Sequence, residues 1–245
     1  MRPLILLGCL LLSMLAHSAP LLTVTEDWPP YNTLLDPQQA DGAYARVVRT
    51  ALQRSGLPSG IQVYPWARSL AHTTLRPDTL VFALARTESR ESQFIWVARL
   101  GEVAVYLWHE PGLNRNLHQA RDCCSICAVR QDASEESILA AGFASSHLTQ
   151  ANNHADCLRL VRNGSIDYLV QSDPPLQMLL RQQGLAVDSL QRGPLLQRYT
   201  VYLAASRGTR PRVIRTLQRT LARMDASGES RKIITSTLKQ AGIQP

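Results

Sequence analysis

Seven consecutive residues, Thr79-Leu80-Val81-Phe82-Ala83-Leu84-Ala85, carry neither a charge nor a turn-forming residue. The run has the length of a strand, and a strand that is apolar on both faces must be covered on both faces. The flanking sequence supplies the cover. Residues 21–25 read as a strand, stopped by Asp27-Trp28-Pro29-Pro30-Tyr31, because two prolines cannot continue a ladder. Residues 42–55 read as a helix with Val47, Val48, Ala51 and Leu52 on one face and Gly56 at its end. Residues 61–64 form a second strand, broken by Pro65, and 66–74 a second helix. Strand and helix in alternation define an α/β fold.

The alternation then repeats. Strands are expected at 103–107, 125–129, 147–150, 166–170 and 200–204, and helices at 134–141, 155–162 and 175–183. Two helices finish the chain. In the first, Pro211 suits the opening turn, Val213, Leu217, Leu221 and Met224 face inward, and Arg212, Arg215, Arg219 and Arg223 face water. The second covers 231–240. No low-complexity linker separates the two α/β units, as expected for two lobes joined by strands that cross near 98–102 and 198–202.

Arg2, the apolar stretch 4–12 and the small residues Ala16, Ser18 and Ala19 have the three parts of a secretory signal peptide. It is expected to span 1–19 and to be cleaved, with the remainder in the periplasm. Leu6-Leu7-Gly8-Cys9 is similar to a lipoprotein box but stands at the front of the apolar run. The formal charge is +7, with arginines spread along the chain. Such a charge fits a solvated basic surface or a cleft that draws in an anion. No binding motif accompanies it, so a nucleic-acid partner is not expected.

An oxidising compartment favours disulfides among Cys123, Cys124, Cys127 and Cys157. Neighbouring Cys123 and Cys124 are not expected to pair with each other. Cys157 is the long-range partner, its mate left open. Cys124 and Cys127 form a C-x-x-C without a second pair at metal spacing, and the motif would begin a strand. Neither zinc nor a thioredoxin-like role is expected, and no metal or cofactor.

The order T-x-x-W-P-P-Y, then Y-P-W-A-R-S-L, then A-R-T-E-S-R-E-S-Q-F-I-W-V resembles the family 3 extracellular solute-binding proteins of polar amino acid uptake, in particular a proteobacterial branch. The resemblance covers most of 22–240 and is most specific over 87–96. It implies the type II periplasmic-binding-protein fold with two hinge-strand crossings. Lobe one would hold 20–98 plus 203–245, lobe two 103–198, and 99–102 with 199–202 would be the hinge strands. It also implies that Arg90 grips a ligand carboxylate, as a planar guanidinium fork can. Trp28 and Tyr31 match the aromatic wall of the cleft. Arg130 matches a basic residue at the end of a lobe-two strand, followed by a helix that Ser134 could cap. Two positions depart from the family. Ala85 replaces a small hydroxyl residue, and Ser172, followed by Asp173, stands where an acid holds the ligand amine.

Glu26 stands at the end of the first strand, where it could hold an amine or a water. Trp66 and Arg68 follow the second strand, and Arg86 is a further candidate anion contact. All lie at carboxyl ends of strands, where ligands of open α/β sheets gather. The histidines, scattered through the sequence, read as surface residues. The expected protein is therefore a monomeric, non-enzymatic solute-binding protein. It would capture a small carboxylate-bearing solute, an amino acid or a relative, for an inner-membrane ABC-type permease. The alternatives are a sensory role at a membrane receptor, or a cyclic-acid dehydratase of the same fold with Glu26 or Asp173 as its acid.

Overall fold

The computed structural model describes residues 20–36, 39–113 and 115–243. The expected signal segment, with Cys9, lies outside the described residues. Strand β1 (Leu22–Thr25) leads into a short antiparallel pair, β2 (Thr33–Asp36) and β3 (Gln39–Asp41). Helix α1 (Ala43–Arg54), β4 (Gln62–Val63), α2 (Trp66–Leu75) and β5 (Thr79–Ala85) follow, then a 3-10 turn at Glu88–Arg90. Strand β6 (Phe94–His109) carries the chain away. Beyond it come α3 (Leu117–Cys123), β7 (Ile126–Val129), α4 (Ala133–Ala140), β8 (Leu148–Ala151), α5 (His154–Arg162), β9 (Tyr168–Ser172) and α6 (Asp173–Gln182). Strand β10 (Gln191–Ser206) returns, and α7 (Pro211–Ala226) and α8 (Glu229–Gln240) close the chain.

The main sheet has the order β4-β1-β5-β10-β6-β9-β7-β8. The triplet β4, β1, β5 is parallel, and so is the triplet β9, β7, β8. Between them β6 and β10 run antiparallel to each other over their whole lengths, from Phe94 opposite Ser206 to His109 opposite Gln191. All seven residues of β5 are buried, as its composition requires.

The short strands expected at 103–107 and 200–204 are parts of β6 and β10, each 16 residues long. Gly101 and Pro194 do not interrupt them. Pro194 falls in the stretch of β10 beyond β5, where β10 has β6 on one side only, and within a register shift between Arg192 and Leu195, an irregularity that tolerates a missing amide. Gly101 faces the Tyr44 hydroxyl so closely that any Cβ there would overlap it. Within this pair Gly101 lies opposite Val201 and Glu102 opposite Thr200, beside a register shift between Val201 and Tyr202.

The cysteines correct one expectation. Cys123 pairs with Cys124, and Cys127 with Cys157 across 30 residues. Cys127 lies in β7 and faces α5, which sets Cys157 at a Cα–Cα distance of 5.5 Å and leaves the adjacent pair to each other. Cys127 and Cys157 are buried with Leu158, Val161 and Leu169.

Candidate functional site

The carboxyl ends of the two parallel triplets converge on one cleft. Its outer part, about 450 Å³, has Glu26 to Pro29 and Tyr64 to Trp66 on one wall, and Asn152 to Ala155, Gln171, Pro175 and Leu179 on the other. That volume suits a small molecule. A narrower space of about 40 Å³ continues inward between Glu26, Trp28, Ala83, Asp132, His154, Gln171 and Tyr199. Glu26, Trp28, His154 and Gln171 line both.

Three hydrogen bonds at and beside the cleft tie the two halves together. The Trp28 indole Nε1 donates to Gln171 Oε1 at 3.1 Å. The Trp66 Nε1 donates to the Gln131 carbonyl at 3.0 Å, and the Arg90 Nη2 donates to the same oxygen at 2.8 Å. Gln131 presents this carbonyl from a left-handed backbone, φ 61, directly after β7 and its flanking Arg130. Ala83, in β5, is left-handed as well, φ 59. Both residues thus hold a conformation disfavoured for side chains with a Cβ, and both sit at the junction of the halves.

Trp28, Trp66 and Glu26 lie in the cleft lining. Tyr31 does not line it; buried to 8% exposure, it stacks on Tyr44 at 4.6 Å and backs Trp28 at 4.8 Å. Arg90 is buried, with Nη1 on the Ala85 carbonyl at 3.1 Å and Nη2 on Gln131, and it lines a separate depression with Leu70 and Phe94. Arg68 lies over the Tyr64 ring and Arg86 pairs with Glu91 beside Trp96 and Tyr202. Arg68, Arg86 and Arg130 are exposed and outside both linings. Ser172 is buried against the Gln171 side chain, and Asp173 is held by Gln177 and Arg192.

Sequence reading missed Asp132, Asn152, Asn153, His154, Gln171 and Tyr199. Their signal was positional: most follow or end a lobe-two strand at its carboxyl end, as Glu26 does in the other half. His154 is thus no surface histidine, and its Nδ1 is buried without a hydrogen-bond partner. His109 is buried too. Asp132, not Ser134, caps α4, its Oδ1 accepting from the Ser134 amide at 2.7 Å. Ser134 stands two residues past the cap, already inside the helix.

Burial pushes the Glu26 carboxyl well above the usual carboxylate range, and the negative charges of Asp132 and Asp27 add to this against the opposing Arg90. Burial raises Asp27 as well, and lowers His154. Among the described residues Glu26 has no hydrogen-bond or ion-pair partner. Burial disfavours the charged form of such an acid, and a cation or a donor reaching it from the cleft favours that form. No group of three or more His, Cys, Asp or Glu among the described residues is placed to hold a metal ion. Likewise, no helix among them is long and apolar enough to cross a membrane.

No family model and no curated protein sequence matches the chain. Solved structures do. A histidine kinase sensor domain with similarity to periplasmic binding proteins superposes at TM-score 0.79 with 16% identity, covering 93% of this chain and 98% of that one. The arginine-, lysine-, histidine-binding protein ArtJ from Geobacillus stearothermophilus gives 0.77 with 11% identity, covering 92% and 96%. EhuB in complex with hydroxyectoine gives 0.74 with 15% identity, covering 88% and 86%. With its parallel triplets on either side of two crossing strands, the chain has the mixed α/β, two-lobed fold of the type II periplasmic binding proteins.

Proposed function

We propose that this chain is an exported, periplasmic solute-binding protein that captures a small molecule between its lobes and passes it to an inner-membrane ABC-type permease. The carrying observation is the cleft of about 450 Å³ whose lining holds Trp28 and Glu26, the latter buried and without a hydrogen-bond partner among the described residues. An interior charge without a partner is costly in a structural core and useful in a binding site. Lobe one takes 20–98 and 203–245, lobe two 103–198, with 99–102 and 199–202 as the hinge. A solute touching both walls favours the closed arrangement by its extra contacts. A polar amino acid or a relative is the class that the sequence resemblance offers; the cleft gives it a carboxylate partner for an amine at Glu26.

Thermal melting and small-angle scattering across a library of amino acids, amines and cyclic acids test this reading. A ligand raises the melting temperature and holds the molecule compact. A library in which no member does either overturns solute capture.

A sensory role is the second reading, favoured by the superposition on a kinase sensor domain. Uptake of the ligand by cells lacking the gene separates the two. Transport requires the chain, whereas sensing leaves uptake intact at constant permease level.

A further inference from the structure

We propose that the cleft takes a small organic cation, an ammonium or guanidinium on a slim apolar frame, whose recognition does not need a carboxylate. This rests on the solute-capture reading and names its ligand class. The ionisable side chains lining the two parts of the cleft, among the described residues, are Glu26, Asp27, Tyr64, Asp132, His154 and Tyr199. No lysine or arginine lines either. The chain as a whole is basic at +7, so this lining runs against its overall charge.

Four further observations point the same way. Glu26 is about nine-tenths buried at 9% exposure, belongs to both linings and has no partner among the described residues. A cation placed beside it supplies the pairing that a buried carboxylate otherwise lacks. The residue expected to clamp a carboxylate, Arg90, has both terminal nitrogens bonded to carbonyls, Ala85 and Gln131, and lies outside both linings. Two helix starts border the inner space: at α4 the Asp132 carboxylate already accepts the Ser134 amide, and at α5 the Asn153 side chain accepts the Asp156 amide. Trp28 on the outer wall offers an aromatic ring, which attracts cations and packs against methylene chains, while the Tyr64 and Trp66 rings already have Arg68 and Arg90 beside them.

Calorimetric titration with two matched pairs tests the class: cadaverine against lysine, and agmatine against arginine, the members of each pair differing only by a carboxylate. Glutarate serves as the anion. Each decarboxylated probe is expected to bind at least as tightly as its amino acid, and glutarate not to bind. Glu26→Gln is expected to weaken cadaverine and agmatine by about tenfold or more, the loss of one desolvated charge pair. Asp27→Asn, at the exposed mouth, is expected to weaken them roughly twofold to fivefold through a screened interaction, and gives the test a second variant should Glu26→Gln not fold. Binding of glutarate, or of lysine and arginine without their decarboxylated partners, overturns the cation class while leaving solute capture standing. Silence from all five probes also overturns it, and the broad library then decides solute capture separately. Unchanged cadaverine and agmatine affinity in both variants removes the acidic lining as the cause.

Discussion

Arg90 donates through Nη2 to the Gln131 carbonyl at 2.8 Å and through Nη1 to the Ala85 carbonyl at 3.1 Å, bridging the end of β5 and the end of β7. It therefore acts between the halves of the molecule before any ligand is considered.

Removing that bridge favours the open arrangement. A hydrogen bond from a charged donor contributes about 1.5–3 kcal/mol. Arg90→Ala is expected to shift the ligand-free lobe equilibrium toward opening by roughly tenfold or more, seen as a larger radius of gyration in scattering. A carboxylate clamp behaves differently: its loss abolishes ligand binding and leaves the ligand-free shape unchanged.

Gly101 is a size constraint in β6. Its Cα lies against the hydroxyl of Tyr44, a buried residue stacked on Tyr31. Gly101→Ala overpacks this contact and is expected to cost about 1–3 kcal/mol, lowering the melting temperature by roughly 2–10 °C. Tyr44→Phe deletes the overlapping atom, so the double variant should regain part of the loss.

Stability should respond to pH through Glu26. Its folded-state pKa is raised above 4.5 by burial, Asp132 and Asp27, against Arg90. The folded chain therefore binds the proton more tightly than the unfolded chain, and stability falls as pH rises from 4.5 through the raised value. Glu26→Gln removes this fall and should raise the melting temperature of the ligand-free protein on the alkaline side of that window. His154 works in the opposite sense: burial lowers its pKa below 6.5, so its contribution is lost as pH falls below that value. His154→Asn in the Glu26→Gln background isolates it by the slope of melting temperature against pH.

The two disulfides should differ in consequence. Cys127–Cys157 closes 30 residues and ties β7 to α5 inside a buried cluster. A closure of that length contributes on the order of 3–4 kcal/mol, so a Cys127→Ala, Cys157→Ala variant should melt roughly 10 °C lower. Cys123 is exposed, so mild reductant should open Cys123–Cys124 first, read by mass spectrometry after alkylation.

Much of the architecture was determined locally. The apolar run 79–85 demanded cover on both faces, and the spacing of Val47, Val48, Ala51 and Leu52 placed the helix that gives it. Strand ends put Glu26, Trp28 and Trp66 at one edge, because the carboxyl end of a parallel strand is a property of chain direction. Continuity of β6 and β10 was not legible, since whether Gly101 and Pro194 interrupt a strand depends on which neighbours the strand has there. The same holds for the cysteines, where the α5–β7 packing chose Cys127 for Cys157. It holds most of all for Arg90 and His154. A side chain's residue type states what it can bond, and only the tertiary structure decides what lies within its reach: two carbonyls for Arg90, and the interior of the cleft for His154.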